Sequence, residues 1–486
     1  MRVRNKRHDA EEIQVKHALN GLSTLALAAA VTALSTISAV AEGPILVTSG
    51  EDSGEGSLRA ALETAAKSDG LTQILVATDG DIEIDSTLVY AGNAPLAIHG
   101  KGQAVTSKVD TTLFTISEGA DLTVDDLNFA GPGNFSVESR GKASKGIFVD
   151  IREDQTGVVT LVLDDVKVSG VAYHGIHISD CDLADECGAG RGGEGGGSEA
   201  SIVVRLNDVE IDDVGNGHFD ADGMRVDERS GGDIFFYAKD SKFANVGADG
   251  LELDEGQEGS VFATVVDSKF DDNGNYCDGK VLESFLPKEP EGEFEDGEKK
   301  EADIPAAVTG TPDDGCFERE VELYESGSVK EYEIGLDFDD GFDVDEAGPG
   351  DLWALIVDTS VNGNHDEGLD FGEEDEGSLK LGVWNTEAKN NTDDGLKMVE
   401  SGAGNVSALL AKLMSKDNGG KGAVFKQKDE GDLNVTVNKS RTAGNDDGEE
   451  SGLEVLQEGS GEGTLRIVDS EIEDGIDTEN VDVTEE

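Results

Sequence analysis

The 486-residue chain has few of the residues that stiffen or staple an ordinary globular domain. It contains 8 prolines, 4 cysteines, 7 histidines and only 5% aromatic residues. Lysines and arginines number 38 against 105 aspartates and glutamates, so the formal charge is −67. Such a charge repels phosphate groups and excludes nucleic acid as a partner. It favours cations, or a salty environment that screens the self-repulsion, as in a halophilic organism.

Long hydrophobic runs are also scarce, and the one candidate lies at the N-terminus. Residues 22–40, LSTLALAAAVTALSTISAV, follow a basic lead and end in a small-x-small pattern at Ala39-Val40-Ala41. Residues 1–41 are therefore predicted to be a signal peptide. A membrane anchor is the alternative, although the run is barely long enough to span a bilayer. The prediction is an exported protein, secreted or at the cell surface, with the periplasm also open and no stable membrane span after processing.

Glycine, by contrast, is abundant, with 64 residues, and many glycines recur at a fixed spacing. Each unit reads Gly-apolar-x-apolar-x-acid, followed by a second Gly and an alternating apolar run. The aligned first glycines are Gly146, Gly175, Gly223, Gly250, Gly279, Gly341, Gly368, Gly395, Gly422 and Gly452, and 27 residues is the recurring spacing. The alternation predicts strands with one buried face, separated by turns rich in Gly, Asn and Asp.

One such unit cannot bury its own apolar face, so the units must stack. The pattern predicts an all-β parallel β-helix with about 27 residues per coil. Leu251 and Leu253 would then lie over Met224 and Val226 in a continuous core. A β-propeller is the alternative, but its blades need four longer strands each.

The segment 47–102, beginning VTSGEDSGEGSLRAALETAA, carries a resemblance to a known family. It is similar to the opening of secreted, right-handed parallel β-helix proteins of the pectate-lyase-like fold, including adhesin-like surface proteins with an Asp-Ser-Gly-x-Gly-Ser-Leu-Arg stretch. The resemblance implies a short helix that covers the N-terminal end of the core. Here Ser57 is a suitable N-cap, and Leu58, Leu62 and Ala65 would form its apolar side. The fold itself implies no particular activity.

Two insertions interrupt the period, and each has cysteines nearby. Cys181 and Cys187 are close in sequence and are predicted to pair. Cys277 and Cys316 flank the second insertion, where a disulfide would staple its base, as an oxidising compartment allows. The predicted organisation is a cap with the first coils over 42–145 and regular coils over 146–486, with insertions near 181–200 and 284–320.

Asparagines precede the acidic turn of successive units at a nearly constant offset. They are Asn245, Asn273, Asn364, Asn390, Asn418 and Asn445. Stacked amides of this kind hydrogen-bond the turn of the next coil. The predicted role of this ladder is structural.

The acids are concentrated in columns. One column precedes the coil glycine, a second lies five residues after it, and outward strand positions add more. The column before the coil glycine comprises Asp222, Asp249, Asp278, Asp340, Glu367 and Asp394. The column five residues after it comprises Glu228, Glu255, Glu346, Glu373 and Glu400. The outward strand positions are Asp227, Glu252, Asp254, Asp343, Asp345 and Asp370. Coils stack about 4.8 Å apart, where carboxylates repel one another. Either bound Ca²⁺ offsets this repulsion, or the columns form a solvated acidic face adapted to salt.

The predicted calcium ligands come from these columns and from no recognised calcium loop. They are Asp222, Asp227, Asp249, Glu252, Asp254, Glu255, Asp343 and Asp345. The stretch HFDADGMRVDER begins like an EF-hand loop, but Arg225 stands where an apolar residue belongs and Arg229 where the bidentate Glu belongs. Divalent cations are therefore a predicted partner without a motif that specifies their geometry.

Catalytic motifs of β-helix enzymes are incomplete in this chain. NTDDG at 391–395 and YHG at 173–175 match fragments of the polygalacturonase pattern in reversed order, and the Asp-Pro-His-Asp motif of alginate epimerases is missing. Arg225, with acids at 227, 252 and 254, has the composition of a lyase centre or of a salt bridge between coils. The first prediction is a non-catalytic exported protein that binds Ca²⁺ or glycan. The alternative is a polysaccharide lyase or glycoside hydrolase near Arg225, which a groove with differently tuned acids and a base would favour.

Overall fold

The computed structural model describes residues 43–181, 196–445 and 452–486. The predicted signal peptide lies outside these residues, and so does Cys187 of the predicted Cys181–Cys187 pairing. Within them the strands form three sheets, of 22 and 12 parallel strands (sheet 1 and sheet 2) and of 3 antiparallel strands (sheet 3). The all-β parallel β-helix is confirmed. No helix among the described residues is long and apolar enough to cross a membrane.

The elements have the following bounds. Sheet 1 contains Ile45–Val47, Thr72–Val76, Ile82–Ile84, Leu96–Ser107, Leu122–Ala130, Thr156–Ser169, Glu199–Asp212, Ile234–Lys239, Lys242–Ala244, Val261–Val266, Lys269–Asp271, Asp351–Val357, Ser360–Asn362, Ser378–Trp384, Glu387–Lys389, Val406–Ala411, Met414–Lys416, Leu433–Asn438, Arg441–Ala443, Gly463–Val468, Glu471–Ile472 and Val481–Glu485. Sheet 2 contains Leu88–Tyr90, Phe114–Ile116, Ile147–Asp150, Ile176–Ser179, Met224–Glu228, Leu251–Gly256, Phe342–Ala347, Leu369–Asp375, Lys397–Gly402, Val424–Gln427, Leu453–Gln457 and Ile476–Glu479. Sheet 3 contains Glu291–Glu293, Phe317–Leu323 and Val329–Leu336, and the helices are Leu58–Ala65 and Gly279–Leu282, with 3₁₀ turns at Glu283–Phe285, Glu301–Asp303 and Asp314–Cys316.

The register of sheet 2 follows the glycine alignment with one exception. Met224 pairs with Leu251 and Val226 with Leu253, as predicted, and all four side chains are fully buried. The next partner of Leu251 is Phe342, 91 residues further on. Gly279 therefore does not start a coil, which corrects the alignment at that point. It begins a short helix instead, capped by the Asp278 carboxylate, which accepts the backbone N–H of Lys280 at 2.9 Å.

The chain between these two coils leaves the β-helix as an excursion, residues 276–338, that contains sheet 3. Its base is stapled by the Cys277–Cys316 disulfide, the predicted pairing, with Cα atoms 5.4 Å apart. Both cysteines are buried in a separate apolar cluster with Val137, Tyr276 and Leu336 among its members. The excursion is therefore a packed unit and not a loose loop.

The N-terminal end of the core is covered by the helix Leu58–Ala65. The Ser57 hydroxyl accepts the Ala60 backbone N–H at 3.2 Å, which is the predicted N-cap. Leu58, Leu62 and Ala65 are each about 1% exposed and belong to the main core. The helix contacts the strands Ile45–Val47 and Leu88–Tyr90.

The asparagine ladder exists, but two of its predicted members are wrong. In each step the side-chain N–H of one Asn donates to the side-chain oxygen of the next at 2.9–3.1 Å, through Asn273, Asn364, Asn391, Asn418 and Asn445. Asn390 is exposed with φ +56°, and the inward position belongs to its neighbour Asn391. Asn245 is exposed and donates to Asp212 instead. The ladder also explains the coil glycine, because a Cβ on Gly250 would lie 2.7 Å from Asn273 Nδ2.

Candidate functional site

The outward side chains of sheet 2 form the candidate site, which we call the ionisable face. It comprises the position before each coil glycine (Lys145, His174, Asp222, Asp249, Asp340, Glu367, Asp394), the next outward column (His177, Arg225, Glu252, Asp343, Asp370, Lys397) and a third column (Asp227, Asp254, Asp345). The expectation of a solvated acidic face is wrong, because most of these side chains are buried: Asp227 is 2% exposed, Asp254 3% and Glu252 7%. Their own contacts, together with the turns beside the sheet, remove them from water.

The column five residues after the coil glycine does not belong to this face. At or near the ends of the sheet 2 strands lie five glutamates that are all fully buried: Glu228, Glu255, Glu346, Glu373 and Glu400. Glu255 accepts the backbone N–H of Gly259 at 2.8 Å, and Glu228 likewise accepts that of Gly232 at 3.0 Å. We call this column the carboxyl ladder. Gln427 and Gln457 continue it in the last coils, and Gln427 donates to Glu400.

The carboxyl ladder holds its protons more tightly than free glutamates do. Burial, followed by the charges of Glu255 and Glu373, raises the pKa of Glu346 to about 10. Burial and Glu373 raise the pKa of Glu400 to about 8. Neutral carboxyl groups can hydrogen-bond one another along the column, as amides do, so the ladder is a structural device that resembles the asparagine ladder.

The N-terminal end of the ionisable face contains a chain of three hydrogen-bonded ionisable groups. Lys145 Nζ lies 2.5 Å from His177 Nδ1, and His177 Nε2 lies 2.6 Å from Asp227 Oδ2. Because the carboxylate can only accept, His177 carries its proton on Nε2 and accepts from Lys145 through Nδ1. We call this chain the Lys–His–Asp relay.

Burial tunes the three members of the relay in different directions. It lowers the pKa of Lys145 to about 8, with Asp227 opposing and Arg225 adding to the shift. Burial and Lys145 lower the pKa of His177 to about 4, so the imidazole is neutral. Burial alone would raise the pKa of Asp227, but Arg225 and His177 outweigh it and keep the group ionised. A lysine that loses its proton near neutral pH is suited to act as a base.

Aromatic rings surround the relay. Lys145 Nζ lies 4.2 Å from the centroid of the Phe148 ring and 5.5 Å from that of Tyr173. The His174 ring lies 4.6 Å from His177, and its Nδ1 accepts the backbone N–H of Asp222 at 3.0 Å. Lys145 is 9% exposed, so the base end of the relay lies largely out of water.

Two arginines occupy the centre of the face. Arg225 contacts Asp227 at 2.8 Å and Glu252 at 2.5 Å. It also contacts Asp254 at 3.2 Å, and Arg229 makes a bidentate pair with the same carboxylate. The predicted cation ligands Asp227 and Asp254 are therefore neutralised by arginines, which was the salt-bridge alternative for Arg225.

Further along the face, acids outnumber the bases. Three groups bring carboxylate oxygens within 4.8 Å of one another: Asp220, Asp222 and Glu252; Asp340, Asp366 and Glu367; Asp340, Asp343 and Asp370. Burial and neighbouring acids raise the pKa of Asp366 to about 9. Lys397 contacts two of these acids, Glu367 at 2.7 Å and Asp370 at 2.8 Å. Clustered carboxylate oxygens of this kind are the donor set of hard divalent cations.

The eight predicted cation ligands are thus dispersed. Asp222, Glu252 and Asp343 belong to the three acid groups. Asp249 lies at their border, where its carboxylate accepts the Asp340 backbone N–H. Asp345 pairs with Asp254 in the sheet register, and Glu255 belongs to the carboxyl ladder. These placements do not test whether an ion binds.

Sequence reasoning missed Lys145, His174 and His177, although a signal for them exists. Lys145 and His174 occupy the same position before the coil glycine as Asp222 and Asp249. His177 pairs with Arg225 in the register. Extending the acidic columns two coils upstream would have placed a lysine and two histidines beside Arg225.

Comparisons with known proteins give only distant structural matches. No protein-family profile matches the chain, and no curated protein sequence matches it significantly. A mutant of a periplasmic alginate epimerase matches with a TM-score of 0.38 and 10% identity, over 91% of this chain and 84% of that one. A pectate lyase matches with a TM-score of 0.36 and 12% identity, over 92% of this chain and 80% of that one. The Dettilon tailspike protein matches with a TM-score of 0.37 and 11% identity, over 89% of this chain and 66% of that one. These scores are too low to carry an argument about this chain, whose parallel β-helix fold is shown by its own strand pairing.

Proposed function

We propose that the chain is an exported enzyme that cleaves uronate-containing polysaccharides by β-elimination on the ionisable face. The observation that carries this proposal is the Lys–His–Asp relay, in which buried Lys145 has its pKa lowered to about 8 beside Arg225. A base next to acids tuned in different directions is the feature that separates an enzyme from a featureless acidic face.

The chemistry assigns a role to each group. Neutral Lys145 would take the proton on the carbon next to the sugar carboxylate, and His177 would hold the resulting ammonium through its Nδ1. The electron pair forms a carbon–carbon double bond while the adjacent carbon–oxygen bond of the glycosidic link breaks. The leaving oxygen takes a proton from water, and the resulting hydroxide takes the proton from the Lys145 ammonium, which restores the neutral amine. Arg225 contacts Asp227 of the relay at 2.8 Å and would stabilise negative charge that develops on the substrate carboxylate.

A polyanionic substrate meets repulsion from a chain of charge −67. The acid groups around Asp340 and Asp370 would hold a divalent cation, which when bound supplies positive charge for the substrate carboxylates. Lys397 on the same columns already contributes one positive charge. Calcium, the cation predicted from the sequence, fits irregular carboxylate sets of this kind.

The test is an ultraviolet assay for unsaturated uronate products. Purified protein is incubated with polygalacturonate, alginate and glucuronate-bearing polysaccharides, each with Ca²⁺ or with EDTA. We expect product from at least one substrate and its loss in Lys145→Ala, while the exposed neighbour Lys142→Ala retains activity. The absence of product from every substrate, or undiminished activity of Lys145→Ala, would contradict the proposal.

The second candidate is the non-catalytic protein that binds divalent cations. It is favoured by the acid groups, which contain several buried carboxylates; Arg225 contacts the first group and Lys397 the acids Glu367 and Asp370 of the other two. Calcium binding without any unsaturated product would support this candidate over the enzyme.

A further inference from the structure

The outer face of sheet 1 carries side chains of the opposite character. In a β-helix the outward strand positions face water and are normally polar, yet here one outward column reads Phe235, Phe262 and Trp353 in direct register. Downstream the column returns to polar residues, with Lys380, Ser407 and Asn434. Upstream the neighbour of Phe235 is Val203, and the polar Thr160 lies one coil further on. We call this surface the aromatic patch; it comprises Phe235, Tyr237, Phe262, Trp353, Leu355, Trp384 and Leu409.

The rings of the patch are stacked along the axis of the β-helix. The rings of Phe235 and Phe262 are 5.1 Å apart and nearly parallel, at 8°, and Trp353 follows at 6.3 Å. Lys380 Nζ lies 4.3 Å over the Trp353 ring, and Lys412 Nζ lies 4.8 Å over the Trp384 ring. All these side chains are partly exposed, and Leu409 is 36% exposed. A contiguous exposed apolar surface on a soluble protein marks a binding site.

A polar hollow adjoins the patch at the corner where sheet 1 turns. It has a volume of about 440 Å³, and its lining includes Asp267, Asp358 and Asn385. These residues directly follow the outward residues Val266, Val357 and Trp384, and each has φ near +50°, which carries the chain around the corner. Lys269, Ser360 and Asn362 add further donors and acceptors. Partly exposed aromatic side chains therefore lie beside a row of hydrogen-bonding groups.

Charge decides which occupant fits this surface. A second copy of the chain would bring another charge of −67 against the first, which opposes self-association. A polyanion meets the same field, and Asp267, Asp351 and Asp358 at the border offset the nearby lysines. An uncharged ligand escapes both penalties. A pyranose chain has flat carbon–hydrogen faces that stack on aromatic rings and hydroxyl groups that pair with polar side chains.

We propose that the aromatic patch and the adjoining hollow bind an uncharged polysaccharide, with its sugar rings laid on the column of aromatic rings. This site is separate from the ionisable face, lies on a different sheet and does not depend on the proposed reaction. It would hold the protein on a neutral glycan while the ionisable face remains accessible.

Tryptophan fluorescence reports on this site directly, because the two tryptophans of the chain, Trp353 and Trp384, both belong to the patch. The full chain is titrated with uncharged hexasaccharides of glucose, xylose and mannose, and with a galacturonate hexamer. We expect a saturable change in emission with at least one uncharged hexasaccharide. Phe262→Ala keeps both tryptophans and should weaken that binding roughly tenfold, the change that 1.4 kcal/mol produces.

Two controls separate this site from others. Phe294→Ala removes a ring from the stacked Phe294–Tyr332 pair in the excursion and should leave the titration unchanged, as should Lys145→Ala. The proposal is overturned if no uncharged hexasaccharide changes the emission, if only the galacturonate hexamer does, or if Phe262→Ala binds as the wild type does. Concentration-dependent dimerisation that Phe262→Ala abolishes would instead assign the patch to a second copy of the chain.

Discussion

The ionisable face and the aromatic patch lie on the same coils, one on sheet 2 and the other on sheet 1. Arg225 and Glu252 face outward on sheet 2, and Phe235 and Phe262 face outward on sheet 1 of the same two coils. The inward residues of both sheets belong to a single hydrophobic core. Stacking is therefore specified by the inward positions, and the outward positions are free to carry two unrelated chemistries. The two surfaces differ in solvent exposure, because most charged side chains on sheet 2 are buried while the aromatic rings on sheet 1 remain partly exposed.

The largest effect is expected from a substitution in the shared core, which should disrupt the ionisable face and the aromatic patch together. Leu251→Asp places an unpaired charge in a core column between Met224 and Phe342, where Leu251 is fully buried. We expect several kcal/mol of destabilisation, seen as a large fall in melting temperature with loss of the tryptophan signal. Thr264→Asp, an outward position of sheet 1 in the same coil, should change stability by about 0.5 kcal/mol or less. An unchanged melting temperature in Leu251→Asp would refute the shared core.

A second variant affects the ionisable face alone. In Lys145→Arg the charge stays but cannot be lost, because arginine remains protonated at any ordinary pH. Since a general base contributes roughly 10²–10⁴-fold, turnover should fall by at least about 10²-fold at every pH. The wild-type rate should rise with pH through about 8, where Lys145 loses its proton. A flat wild-type profile across that range, or an active Lys145→Arg, would exclude Lys145 as the base.

The carboxyl ladder predicts a smaller effect that depends on pH. The pKa of Glu346 is raised to about 10 by burial and by its neighbours, so the folded state retains a proton that the unfolded chain releases above about 4.3. The stability from this group is thus complete below that pH and decreases as pH rises toward 10. Glu346→Gln should melt higher than the wild type near pH 8 and about equally near pH 4. The exposed Glu376→Gln is the control, and a Glu346→Gln that melts lower near pH 8 would contradict the neutral ladder.

The smallest expected effect concerns the stability of the aromatic patch. Phe262 is partly exposed on the outside of its coil, whereas Phe270 of the following strand is fully buried. Phe262→Ala should therefore change the free energy of unfolding by about 0.5 kcal/mol or less, and Phe270→Ala by roughly 3–5 kcal/mol. Denaturant unfolding of both variants measures the difference. Equal losses would mean that Phe262 serves packing and not recognition.

The sequence predicted the stacking more accurately than the site. Glycine spacing and alternation gave the pairing of Met224 with Leu251, because these patterns express which positions face inward. These patterns gave a wrong prediction at Gly279. The residues there match the acid and the glycine of the repeat, but the chain continues as the helix Gly279–Leu282. The N-terminal helix could be predicted from its Ser57 N-cap and apolar spacing. The Cys277–Cys316 disulfide could be predicted because the two cysteines flank the second insertion.

The depth of the ionisable face could not be predicted from periodicity. Alternation tells which side of a strand a residue occupies, but not whether neighbouring turns and side chains cover it. Asp227 was therefore expected as a cation ligand, although Arg225 neutralises its charge and it accepts a hydrogen bond from His177. Lys145 was missed because its partner His177 lies 32 residues away and no recognised motif joins them.

Both proposed functions place a divalent cation on the acids of the ionisable face, and calcium-dependent melting tests this shared central claim most directly. The full chain is melted in millimolar CaCl₂ and in NaCl of equal ionic strength. Specific binding at a hundredfold excess over Kd adds about 2.7 kcal/mol, whereas screening treats salts of one ionic strength nearly alike. We predict a larger rise with Ca²⁺ that is lost in the Asp343→Asn/Asp370→Asn double variant and kept in Glu293→Gln/Glu331→Gln on sheet 3. Equal rises in both salts, with a double variant that melts higher than the wild type in each, would contradict the claim.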